Sequence, residues 1–184
     1  MAVDHSTDVL MMMVLDGQPL KASCQTQFDP LSVEDPNSLV YDFKPGCFFE
    51  IQDIDLELTA PTPDAHAGDT SKGGVQLNEI SVTRQIDIAS MALMRACIGT
   101  QGFDSASIVK RRAGGGSAES GQAYLRVDFN GVLITKIDWS DEHVVKEKIT
   151  FITRGLQMLY RAQLADGTLS TKTQQVEFLV PVKS

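Results

Sequence analysis

The chain has 184 residues, 42% of them apolar, and its 16 basic residues face 24 acidic ones for a net charge of -8. That length suits one domain with a real core rather than two, and no apolar run is long enough to span a bilayer as a helix. The acidic balance favours solubility and argues against nucleic acid or an anionic membrane as partner.

Val9 to Leu15 (VLMMMVL) is continuously apolar and superficially resembles the core of a signal peptide. The residues before it include Asp4 and Asp8 but no Lys or Arg, and the run meets Asp16-Gly17 rather than a small-residue cleavage site. It reads as a first strand buried on both faces. The expectation is synthesis in the cytoplasm, with any exit from the cell made without a classical leader. Asp16-Gly17-Gln18-Pro19 is a turn, and Lys21 to Phe28 alternates loosely like a strand. Residues 29–46 carry Pro30, Pro36, Pro45 and Gly46. They read as a loop that leaves the core, with one short pairing around Leu39 to Phe43.

From Cys47 to Leu58 the pattern is clearer. Ile54, Leu56 and Leu58 alternate with Asp53, Asp55 and Glu57, giving a strand with one apolar and one acidic face. Two readings stand: a solvated outer face, or a face turned to a large water-filled space in an assembly. Ala60 to Gly74 has almost nothing to bury, and a loop this long is commonly functional or mobile.

Strand character returns at Val75 to Thr83 and then changes period. From Ile88 to Ile98, Met91, Leu93, Met94, Cys97 and Ile98 recur at helical spacing, which predicts one short helix as a buttress. Asp87 is the expected N-cap, and Gly99 the expected left-handed stop. Ser105 to Arg112 is a strand ending in Lys110-Arg111-Arg112, which reads as a solvated strand end or a subunit contact. Residues 113–121 form a Gly-rich tip. Tyr124 to Phe129 and Val132 to Trp139 flank Asn130-Gly131, which suits a tight hairpin or a kink within one long strand. Strands follow at Ile149 to Thr153, Leu156 to Leu164 and Gln175 to Val182.

Catalytic chemistry is hard to find. Gly114-Gly115-Gly116 lacks the Lys-Ser/Thr of a phosphate loop. His5, His66 and His143 have no ligand spacing. Cys24, Cys47 and Cys97 are odd in number, without a CxxC, and read as buried free thiols. No nucleophile–base pair stands out, so a small β-barrel hydrolase is disfavoured. No cofactor or metal is expected, and a structural or binding role is.

Glu79-Ile80-Ser81-Val82-Thr83-Arg84-Gln85-Ile86-Asp87, followed by Ala89-Ser90, Leu93-Met94 and Ala96-Cys97, resembles the signature of the haemolysin-coregulated protein (Hcp) family. These are the tube subunits of bacterial type VI secretion. Ile108 to Gly115 and Tyr124 to Ile137 extend the match, which covers residues 47–184 and is poorest over 16–46, where an insertion is expected. The resemblance implies a mainly β fold over 1–184: a small β-barrel of two packed sheets with one helix and a long extended loop. It makes Asn130-Gly131 a kink. It implies a homo-hexameric ring, stacking into a tube, and partners in a spike protein, a contractile sheath and small effectors carried in the lumen. Nucleic-acid binding and membrane insertion are not implied.

Within that resemblance Asp53, Asp55 and Glu57 become candidate lumen residues, which repeated round a ring would give an acidic channel. Pro61, Asp64, Asp69 and Lys72 become candidate contacts of a loop that orders on a neighbouring subunit. Met91, Met94, Cys97 and Ile98 form the helix buttress. A phage-like tail-tube or baseplate protein shares the fold and is the nearest alternative, ahead of a stand-alone β-barrel binding module.

Overall fold

The computed structural model describes residues 9–60, 75–112, 121–141, 143–165 and 168–180. Its first strand, β1 (Val9–Leu15), is the apolar run expected from sequence, and it is buried on both faces. Asp16 and Gly17 turn the chain with positive φ (52° and 73°) into β2 (Gln18–Pro19), which pairs back onto β1. The turn is thus half as long as expected.

Lys21 to Phe28 forms no strand, and residues 29–46 are not an excursion from the core. They contain a second helix, α1 (Pro30–Glu34). The Asp29 carboxylate accepts from the Leu31 N–H (3.3 Å) and from the Ser32 hydroxyl (3.2 Å). Pro30 fills the first helical position, where its missing N–H costs nothing. Beyond α1, Val40, Phe43 and Phe48 pack onto Leu10, Met12 and Val109, forming a second core on the outer side of β1. Arg126 fastens this layer, donating to the carbonyls of Leu39 (3.3 Å) and Tyr41 (3.0 Å) while Asp128 holds its Nε at 2.8 Å.

The stretch from Cys47 to Leu58 is three short pieces: β3 (Phe49–Glu50), β4 (Asp53–Asp55) and β5 (Leu58–Thr59). β5 pairs with β6 (Gln76–Leu77), and β7 (Ile80–Gln85) follows. After the second helix, α2 (Ser90–Ile98), come β8 (Phe103–Arg111), β9 (Ala123–Asp141), β10 (Val145–Gln163) and β11 (Leu169–Leu179). Every strand pair is antiparallel, in the order β2-β1-β8-β9-β10-β7-β4, with β11 also on β10.

β9 and β10 are each 19 residues long and form the middle of the nine-stranded sheet. The first half of β9 pairs with β8, and the second half of β10 with β11. β9 and β10 pair with each other along nearly their whole length, and the first half of β10 also pairs with β7. The changeover falls where Asn130 stands opposite Gly155. Gly131 takes φ +62° there, so Asn130-Gly131 is a kink inside one strand, the kind of bend by which a strand turns a corner. A bulge at Thr135, between the pairings of Thr150 and Phe151, adds to the curvature.

The two ends of the sheet are bridged by a single stretch. Phe49 and Glu50 pair with Met11 and Leu10, and the Ile51 N–H donates to the Val9 carbonyl (2.9 Å). One residue later the Gln52 N–H donates to the Thr83 carbonyl (2.7 Å), and Asp53 to Asp55 pair with β7. The curled sheet encloses the main core, where Met11, Val82, Ile108, Leu93 and the edge-on pair Phe129–Phe151 (5.4 Å) meet.

α2 packs through Leu93 and Ala96, with Ala89 just before it; Met94 and Cys97 are half-buried. Met91 and Ile98 do not belong to the buttress: they are 51% and 78% exposed. Each lies two residues from a buried position, about 200° round the helix. Asp87 organises the turn before the helix rather than capping it: its carboxylate accepts from the Ala89 N–H (2.8 Å), and its own N–H donates to the Ser90 hydroxyl. At the other end Gly99 stays right-handed and Thr100 (φ 50°) takes the left-handed position. The Thr100 and Gln101 N–H groups close the last turn on Cys97 and Ala96.

Candidate functional site

The family-like stretch Ser81–Asp87 builds a polar face and the buried tie beneath it. On β7 the side chains alternate, so Ile80, Val82 and Arg84 turn inward and Ser81, Thr83 and Gln85 outward. Arg84 is fully buried, with its guanidinium 4.0 Å from the centre of the Phe49 ring. It is ion-paired on one side with Asp87 and on the other, at 3.2 Å, with Glu147 of β10, itself fully buried. Ser90 (2.8 Å) and the Trp139 indole (3.3 Å) also donate to Glu147, and Asp87 accepts from the Ser23 N–H (2.8 Å). One arginine therefore joins β7, the start of α2, β10 and the strap after β2. Buried charges persist only when paired and hydrogen-bonded.

Above this tie, β4, β7, β10 and the second half of β9 present one polar face in cross-strand rows. In one row Asp53 stands beside Thr83, Thr83 beside Lys148 and Lys148 beside Asp138. In the next, Asp55, Ser81, Thr150 and Lys136 follow one another; a third runs Gln85, Lys146, Ser140. The Lys136 ammonium lies 2.7 Å from Asp138, and Glu79 accepts from the Thr135 hydroxyl (3.1 Å).

Asp53 and Asp55 are thus exposed, as expected, on the outer side of their strand. The face is mixed rather than wholly acidic: Lys136, Lys146 and Lys148 share it with Asp53, Asp55, Glu79 and Asp138. Glu57 is exposed beyond the end of β4, where its carbonyl accepts from the Asn78 N–H (3.1 Å). The face has two unpaired edges. Among the described residues, β4 pairs with β7 alone, and β9 from Leu133 to Asp141 with β10 alone.

Pro61, Asp64, Asp69 and Lys72 lie outside the described residues, as do residues 113–120 of the Gly-rich tip and two of the three histidines. Arg111, expected at a solvated strand end or a subunit contact, is buried within the chain with its guanidinium 5.0 Å from the Phe28 ring centre. The three thiols are free but half-buried. Among the described residues no group of three or more His, Cys, Asp or Glu side chains could hold a metal, and no helix is long and apolar enough to cross a membrane. Sequence reasoning missed the lysines of the face, because their relation to Asp53 and Asp55 arises only from strand order. It also missed the Arg84–Glu147 tie, because both residues fall just outside the strands read from sequence, Val75 to Thr83 and Ile149 to Thr153.

The fold is mainly antiparallel β, with long kinked strands and α2 laid on the sheet. The family model for "Type VI secretion system effector, Hcp" matches residues 48–160, and the chain belongs to the Hcp family. Its fold is similar to a structure described as a type six secretion system protein (TM-score 0.69, 15% identity, covering 94% of this chain and 95% of that one). It is also similar to Hcp1 from Salmonella typhimurium (TM-score 0.63, 16% identity, 95% of each chain). The secreted protein Hcp3 from Pseudomonas aeruginosa gives a TM-score of 0.61 at 14% identity, over 94% of this chain and 98% of that one. A search of curated proteins by sequence finds no match.

Proposed function

We propose that this chain is a type VI secretion tube subunit: six copies close head-to-tail into a ring, and rings stack into a tube that a contractile sheath expels. In this reading the polar face lines the lumen, where small effectors travel, and the spike caps the tube. The chain acts as a structural carrier rather than an enzyme, made in the cytoplasm and delivered outside the cell. It is one domain, with residues 16–46 as an insertion that packs on β1.

The observation that carries the reading is the polar face with an unpaired strand edge on either side. An open edge invites pairing with another chain. Joining the β4 edge of one copy to the β9 edge of the next is a heterologous contact, and such contacts make rings when the rotation closes. Family membership supports the same assembly.

The test is the absolute mass of the purified protein by light scattering, with negative-stain imaging of the same peak. The expected result is six times the 20.1 kDa chain mass with ring-shaped particles. A particle of one chain mass at every concentration, with no rings on a spike template, overturns the proposal.

A further inference from the structure

The charges on the polar face have different neighbours. Lys136 is engaged with Asp138 at 2.7 Å, and Glu79 with the Thr135 hydroxyl. Asp53 and Asp55 lie on the edge strand, where a ring brings the Lys136-bearing edge of the next copy alongside. Lys146 and Lys148 sit on β10, one strand in from that edge. Both are exposed, and neither makes an ion pair with a described residue. Their flanking neighbours are Gln85 and Ser140 for Lys146, and Thr83 and Asp138 for Lys148.

We infer that Lys146 and Lys148 are the cargo-contacting charges of this face, that their occupant is an acidic surface of a carried protein, and that Asp53 and Asp55 act between subunits. This rests on the tube reading. The net charge of -8 does not oppose it at close range, because at about 0.1 M salt charges beyond about 10 Å are largely screened. A single exposed lysine contact is weak, but the same pair repeated round a ring adds up through multivalency, by about 10²-fold or more in avidity.

The test uses fluorescent polyglutamate as the acidic probe and polylysine as the basic one, added to the full chain at about 0.1 M salt. Retention is read in the fraction whose scattering mass is that of the ring. Wild-type rings should retain polyglutamate in preference to polylysine. K146Q/K148Q should lower that retention by about tenfold or more, and D53N/D55N should reduce the ring fraction without lowering retention in whatever rings form. Preference for polylysine, or equal polyglutamate retention by K146Q/K148Q and wild type, overturns the inference. If the wild type stays at one chain mass at every concentration and forms no rings on a spike template, the tube reading fails, and the same titration is run on the single chain, which carries the whole face. Loss of polyglutamate binding in K146Q/K148Q then still upholds the lysine assignment, and undiminished binding overturns it.

Discussion

Arg84 Nε and Glu147 Oε1 lie 3.2 Å apart with neither side chain exposed to solvent. Removing Arg84 leaves Glu147 buried without a cation, and removing Glu147 leaves Arg84 with Asp87 as its one remaining ion-pair partner; breaking a buried pair in this way costs about 3–5 kcal/mol. Glu147→Ala should therefore lower the melting temperature by roughly 6–20 °C, at 2–4 °C per kcal/mol for a chain this long. The double variant Arg84→Met with Glu147→Leu should be more stable than Arg84→Met alone. Thermal unfolding of the three variants checks both, and a double variant less stable than the single one contradicts the assignment of the pair as a mutual neutralisation.

The two glycines at the sheet changeover should respond differently to alanine. A Cβ on Gly155 would meet the Phe178 carbonyl oxygen at 2.9 Å and Leu179 at 3.0 Å, so β11 must shift. Gly155→Ala should cost about 1–3 kcal/mol and speed hydrogen exchange along β11. At Gly131 the close atom, also at 2.9 Å, is on the flexible Arg154 side chain. The cost of Gly131→Ala comes instead from its left-handed backbone, about 1–2 kcal/mol, and exchange on β11 should stay as in the wild type.

The layer built by residues 20–46 depends on Phe43, fully buried between Phe28 (6.2 Å) and Phe48 (5.6 Å). Phe43→Ala should cost about 3–5 kcal/mol. Limited proteolysis should then cut first within residues 25–46, with the main core intact. A first cut in β9 or β10 would contradict a separable second core.

On α2 the two faces should separate cleanly. Leu93→Ala removes a side chain fully enclosed in the main core and should cost about 2–5 kcal/mol. Met91→Ala and Ile98→Ala should stay within about 0.5 kcal/mol of the wild type in the isolated chain. Chemical denaturation midpoints check the contrast.

The strands were legible in the sequence where side-chain pattern and burial coincide. Val9 to Leu15 is apolar throughout because β1 has a core on each side, and Ile54 between Asp53 and Asp55 marks a half-exposed strand. α1 was not read, although Asp29-Pro30 is a helix-start signature, because the surrounding prolines outweighed five residues of local signal. The stripe of α2 was read too broadly, since Met91 and Ile98 are as apolar as the residues that pack and differ only in angle. Least legible was the polar face. Asp53 and Lys148 become neighbours in one row only through the register of β4 on β7 and of β7 on β10, and nothing local encodes that register.

The strand that bridges β1 and β7 has a consequence for biosynthesis. Apart from the two-residue β2, β1 pairs with β3 and with β8, which ends at Arg111. At translation rates of about 5–20 residues per second, a segment apolar on both sides waits on the order of ten seconds for a complete set of neighbours. The nascent chain thus exposes an apolar heptapeptide well before β8 is made to shield it, a delay set by strand order.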